Sequence, residues 1–124
     1  VAPAGISILS SGDYLVADGA THNILLCPPS PNSNCTVVAG SGGQGSGPTQ
    51  LSLPTHAVED ENGDYLIADT LNGRVQLCYA ATPEGDCLTV AGTMGEFQFP
   101  WKLAMVYSTT TTNTTTTTTT TTTT

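Results

Sequence analysis

The chain is written twice. Residues Pro3 to Cys27 read PAGISILSSGDYLVADGATHNILLC, and residues Pro54 to Cys78 read PTHAVEDENGDYLIADTLNGRVQLC. The offset of 51 residues between Pro3 and Pro54 holds through Gly-Asp-Tyr-Leu, Ala-Asp and the cysteine without a gap. CTVVAG from Cys35 then matches CLTVAG from Cys87 after one inserted residue. A third copy opens at Pro100 as PWKLAMVY and stops at Ser108. A repeat constrains a fold more than composition does. Both copies must fold alike, and neither buries its apolar face without a neighbour. The period defines segments 1–51, 52–99 and 100–108, followed by a threonine tail at 109–124.

Each copy divides into short strands. In the first copy, Ile6 to Leu9, Tyr14 to Ala17, Asn23 to Cys27 and Cys35 to Ala39 are β-rich runs separated by Gly, Asp, Asn and Pro turns. The second copy gives Ala57 to Glu59, Tyr65 to Ala68, Arg74 to Cys78 and Leu88 to Ala91. Four short strands joined by tight turns make one antiparallel meander. The glycine-rich stretch Gly40 to Gly47 is expected to be a flexible crossing between copies. No window carries apolar residues at helical spacing over three turns, so no helix longer than one turn is expected. The fold class is therefore all-β: two four-stranded antiparallel blade-like units, one extra strand and an extended tail. A period near 50 residues lies in the range of β-propeller blades.

At these residues a family can be named. A proline, a short apolar strand, a Gly-Asp turn, Tyr-Leu-Val/Ile-Ala-Asp, a polar turn with Asn, and an Ile/Val-x-Leu strand resemble the NHL repeat. The resemblance covers both full copies and the opening strand of the third. It implies propeller blades and a partner-binding role, with peptide-amidating lyases among the few related enzymes. Propellers close with four to eight blades, and two blades with one strand cannot close a ring. The open unit is expected to be a fragment of a longer chain or to assemble with copies of itself. The strand Lys102 to Tyr107 has no hairpin partner in its own copy. Either it completes a blade in a neighbouring molecule by strand addition, or it packs back on its own chain. The chain begins at a repeat boundary with no leader ahead of Val1, and a leader removed upstream is expected.

Charge narrows the partners. Ten acids face two bases, Arg74 and Lys102, for a net charge of −8. Two cations cannot supply the basic footprint that displaces counterions from phosphate, so nucleic acid is not an expected partner. Anionic membrane surfaces are disfavoured on the same ground. No apolar run approaches the roughly 20 residues of a membrane span, so no membrane insertion is expected.

The cysteines fall at equivalent positions, Cys27 and Cys35 in one copy and Cys78 and Cys87 in the other. Four cysteines permit three pairings, and repeat symmetry favours a bond within each copy. The competing zinc reading lacks Cys-x-x-Cys spacing and a nearby histidine. Disulfides imply an oxidising compartment, hence an extracellular or cell-surface location.

Other candidates read as structure first. Asp60-Glu61-Asn62-Gly63-Asp64 has a calcium-like cadence, but its glycine sits too early and the bidentate glutamate is missing. A hairpin turn with Gly at positive φ explains it better. Asp18 and Asp69 are carboxylates at a blade mouth or, more simply, acceptors for backbone N–H groups of the following turn. His22 and His56 occupy different repeat positions and show no partners for general-base or zinc chemistry. Gly42-Gly43-Gln44-Gly45-Ser46-Gly47 lacks the lysine and helix of a phosphate cradle. Trp101 is expected to anchor a core or an interface. No catalytic residue, cofactor or metal site is assigned.

The last feature is covalent. Asn34-Cys35-Thr36 and Asn113-Thr114-Thr115 are N-glycosylation acceptors. Thr109, Thr110, Thr111, Thr112, Thr114 and Thr115 open a tail that is threonine apart from Asn113. Threonine runs build no core, and β-branching disfavours a lone helix. An extended tail carrying O-glycans, as in mucin-like stalks, is expected, with packing between chains as the alternative. The leading functional expectation is a non-catalytic extracellular structural glycoprotein that assembles with itself, in filaments where the contact does not close. A propeller fragment binding protein or glycan comes next, and a propeller-lyase relative last.

Overall fold

The structure, a computed structural model, describes residues 3–92. Trp101, the strand Lys102 to Tyr107, Asn113 and the threonine tail lie outside the described residues. Within them the chain is all-β. The first sheet takes β1 (Pro3–Ile8), β2 (Tyr14–Asp18), β3 (Asn23–Cys27) and β4 (Thr36–Ala39) in sequence order, all antiparallel. The second takes β5 (Pro54–Glu59), β6 (Tyr65–Asp69), β7 (Arg74–Cys78) and β8 (Leu88–Ala91) in the same order. One three-residue 3-10 turn, Thr70–Asn72, is the single helical segment among the described residues.

The hairpin turns are copies of each other. Leu9 N–H donates to the Asp13 carbonyl at 2.9 Å, and Asp60 N–H donates to the Asp64 carbonyl at 2.8 Å. Gly12 and Gly63 hold φ of 95° and 84°, a conformation that excludes most side chains. β1 and β5 start earlier than their apolar runs suggest, at Pro3 and Pro54. Proline is tolerated as the first residue of an edge strand, where its missing N–H breaks no ladder. A register shift follows each proline, between Pro3 and Gly5 and between Pro54 and His56. Leu9, expected at the end of the first strand, instead leaves it and is buried in the core.

Register fixes which residues share a face. Leu15, Ala17, Ile24 and Ala39 of the first sheet meet Ala57, Tyr65, Ile67 and Cys78 of the second in one buried cluster. Each large aliphatic buried there contributes roughly 1.5–3 kcal/mol over exposure. β1 lies so close to β5 that a Cβ on Gly5 would sit 2.3 Å from the Thr55 carbonyl oxygen. Beside it, Ser7 Oγ donates to the Ala57 carbonyl at 2.7 Å. The strand therefore presents glycine and serine to its neighbour because the backbones approach closely. The other face of the second sheet carries a further cluster, with Val58, Leu66 and Val75 buried and Leu77 and Ala91 packed against them.

Candidate functional site

The cysteines pair within each repeat, Cys27 with Cys35 and Cys78 with Cys87, at Cα separations of 4.3 and 4.4 Å. Each bridge ties the end of the third strand to the start of the fourth. Their surroundings differ. Cys78 is buried in the core cluster with Cys87 packed against it, whereas Cys35 is exposed. Asn34 and Thr36 of the sequon flanking Cys35 are exposed too.

Asp60 and Asp18 each accept backbone N–H groups of the turn beside them. Asp60 Oδ1 accepts the N–H groups of Asn62 and Asp64, each at 2.9 Å, so this side chain closes its own turn. Asp18 Oδ1 accepts the Ala20 N–H at 3.0 Å in the following turn. Asp69 behaves differently from that expectation. Its Oδ1 accepts the Ser52 N–H at 2.7 Å, from the segment that enters the second repeat. Its Oδ2 accepts Asn72 Nδ2 and Arg74 Nε, both at 2.7 Å.

Arg74 is the residue that the sequence reading missed. Its Nη1 donates to the Ser46 carbonyl at 2.9 Å, and its Nη2 to the carbonyls of Gly47 and Gln50 at 3.0 and 2.9 Å. The planar guanidinium fork thus holds Asp69 on one side and three linker carbonyls on the other. Gly42 N–H also donates to the Thr49 carbonyl at 2.8 Å, and Asn72 Nδ2 to the Gly45 carbonyl at 2.9 Å. The glycine-rich stretch is consequently a pinned loop rather than the flexible crossing its composition suggests. Its glycines allow close approach, since a Cβ on Gly42 would lie 2.3 Å from Thr49 Oγ1. A signal was available: the first-copy counterpart of Arg74 is Asn23, and the single cation of the described residues therefore marks a difference between copies.

The histidines stay apart in role. His22, at φ 61°, takes the left-handed position that Gly73 fills in the second copy at φ 62°. Its Nδ1 accepts the Leu53 N–H at 3.0 Å, linking the two repeats. His56 lies beside Gly5, the position it replaces in the repeat.

The outer face of the first sheet is exposed at β1 and β4 and buried at Val16 between them. Ile6, Val16, Leu25 and Val37 align in one cross-strand row, and Ile8 aligns with Tyr14. Ile6 is 61% exposed, Ile8 71% and Val37 39%. On β1 the isoleucines thus face outward while glycine and serine face the neighbouring sheet. The equivalent positions in the second copy are Ala57, Glu59, Gln76 and Thr89, on the face that packs against the first sheet. There Ala57 is 2% and Gln76 1% exposed. At Ile6, Ile8 and Val37 the exposed first-copy residue is more apolar than its counterpart, whereas in the middle of the row Val16 is itself buried, as Ile67 is. Comparing the two copies position by position carries this signal.

Two disulfides, with no helix among the described residues long and apolar enough to cross a membrane, are compatible with a secreted or surface protein. Comparison with protein-family models and with curated proteins finds no match for this chain.

Proposed function

We propose that the chain is a non-catalytic, extracellular structural glycoprotein whose NHL-like β units assemble with one another. The observation that carries this reading is the outer face of the first sheet, where Ile6, Ile8 and Val37 stand in solvent. Apolar residues aligned across four strands are an interaction surface or an aggregation hazard. The chemistry-bearing side chains support a structural role. Asp69 and Arg74 hold each other, Asp60 closes a turn, and His22 ties the repeats together. The disulfides and the exposed sequon at Asn34 suit an oxidising, glycan-adding secretory route. The threonine tail would carry O-glycans, and the segment from Lys102 to Tyr107 would lie in or beside the contact between chains.

A second reading is favoured by the face-to-face packing of two equivalent meanders, which suits a propeller fragment used as a protein- or glycan-binding module. Intact mass before and after deglycosylation, with sedimentation of the purified chain, separates the two. A sugar load with self-association supports the structural reading. A bare-polypeptide mass with a compact monomer at every concentration overturns it.

A further inference from the structure

We infer that the third-copy segment Pro100 to Tyr107 docks, within its own molecule, on the far face of the second sheet, repeating the placement of β5 on the first sheet. The inference goes beyond the self-assembly proposed above and does not depend on it. Its first support is a gradient of burial. Val58, Leu66 and Val75 lie on the face turned away from the first sheet, and every described member of their cluster belongs to the second sheet itself. A large side chain on the open face of an edge strand stands in solvent, as Ile6 and Ile8 of β1 do. Val58 is also on an edge strand, yet it is 5% exposed. Leu66 on β6 and Val75 on β7 are buried as well, whereas Leu88, on the same face of β8, is 52% exposed. One strand laid over β5 and β6 gives that gradient, and a full sheet would bury Leu88 too. β5 covers the first sheet in the same order, against β1 and β2 and less against β3.

The repeat supplies the register. Aligning Pro100 with Pro54 puts Leu103 and Met105 at the positions of Ala57 and Glu59, on the face that packs against the preceding sheet. Ala104 takes the position of Val58, on the face turned away. The residues that β5 meets change to match. Ser7 donates to the Ala57 carbonyl, and the second-copy counterpart of that pair is Val58 with Leu103. This pair is bulkier, so the docked strand stands further off and is held by apolar burial rather than by a hydroxyl. Glu59 accepts from the Ser10 N–H and hydroxyl, and the counterpart of Ser10 is Glu61. An acid at position 105 would oppose Glu61, and Met105 removes that clash.

The connection is long enough. Nine residues separate Ala91 from Pro100 and reach about 30 Å when extended. Recrossing four strands takes about 15 Å, and moving up one sheet layer takes ~10 Å. Docking there starts the threonine tail on the opposite outer face from Ile6 and Ile8, so O-glycans would stay clear of that apolar surface. The docked strand has no hairpin partner and keeps a free edge, which lies beside any contact between chains.

A double-mutant cycle on the full, disulfide-intact chain tests the docking by urea unfolding at ~1 μM, dilute enough to disfavour weak association. Val58→Ala and Leu103→Ala are expected to be coupled, the double variant departing from the product of the single effects on the unfolding constant by roughly 5-fold or more. Leu103→Asp is expected to lower the urea midpoint, because it puts a charge into the contact, and Ala104→Asp to leave it unchanged. Trp101 is the single tryptophan and gives a readout of the parent chain. Acrylamide is expected to quench it less in the native state than in urea, and Leu103→Asp to remove much of that shielding. Absence of coupling, or an Ala104→Asp cost equal to that of Leu103→Asp, overturns the docking. Coupling seen at ~100 μM and lost at ~1 μM places the segment on a second molecule and overturns the within-chain assignment. Sedimentation scores self-assembly separately: a monomer with full coupling upholds this inference and refutes self-assembly, and an oligomer without coupling does the reverse.

Discussion

Replacing Arg74 by methionine keeps the length of the side chain and removes its charge and donors. Asp69 is then left wholly buried with two of its three partners, the Ser52 N–H and Asn72 Nδ2. Removing one member of a buried ion pair costs about 3–5 kcal/mol when the other is stranded. Two surviving hydrogen bonds to the carboxylate moderate that figure. The Ser46 carbonyl belongs to an exposed residue, so water can replace the lost donor there. The Gly47 and Gln50 carbonyls are less open and add to the loss. A net destabilisation of about 3 kcal/mol follows.

Urea unfolding at neutral pH with disulfides intact measures this quantity. Arg74→Lys is expected to recover less than half of the loss, because a point ammonium cannot reach a carboxylate and three carbonyls together. A cycle with Asp69→Asn isolates the coupling, expected at roughly 1–3 kcal/mol for partners in direct contact. The linker supplies an independent readout. Amides from Gly42 to Gln50 are expected to lose exchange protection in Arg74→Met before the strands do. A cost below about 1 kcal/mol, or an unchanged linker, refutes the idea that Arg74 pins the crossing.

The bridges make unequal contributions. Each closes a loop of nine or ten residues and is worth roughly 2.5 kcal/mol by loop entropy, but replacing Cys78 and Cys87 by alanine also disturbs the core and is expected to cost more than replacing Cys27 and Cys35. Peptide mapping that finds a Cys27–Cys78 link removes the basis for this. Burial, then the carboxylates of Glu59, Asp64 and Asp13, raise the Tyr65 phenol above its ordinary pKa of 10.0. The folded state holds that proton more tightly, so its stabilising contribution is complete below about pH 10 and is lost as pH climbs through the folded value. Urea midpoints of Tyr65→Phe should fall less steeply above about pH 10 than those of the parent, and parallel curves would contradict this. Chain secreted from a eukaryotic host is expected to lose mass on N-glycan removal, with Asn34→Gln abolishing the share carried at that sequon.

The two meanders were legible because the repeat registers eight strands against each other, and each doubtful strand borrows support from its counterpart. Strand starts were less so. Pro3 and Pro54 lie ahead of the apolar alternation, and proline reads as an interruption although an edge strand accepts it first. The linker misled for a related reason. Glycine content signals backbone freedom, yet Gly40 to Gly47 is held by Gln50, Asn72 and Arg74, and local composition carries no trace of partners so distant. Asp69 was placed correctly at the end of its strand but given the wrong donors, since its pairing with Ser52 depends on the path of that same linker.

The informative positions are those where the copies disagree. Shared residues such as the Tyr-Leu and Ala-Asp pairs build a meander and are indifferent to which neighbour it has. Gly5 against His56 and Ser7 against Val58 mark where β5 comes close to β1, with the small pair on the inner face of β1. Asn23 against Arg74 marks the repeat that clamps an incoming linker. Ile6 against Ala57 and Ile8 against Glu59 then mark the outer face of the first sheet. A face selected only for solubility would drift toward polar residues in the exposed copy, whereas here the exposed copy is the more apolar one. Burial on one side of the comparison and exposure on the other, with hydrophobicity running the opposite way at Ile6, Ile8 and Val37, is the feature on which the proposed self-assembly rests.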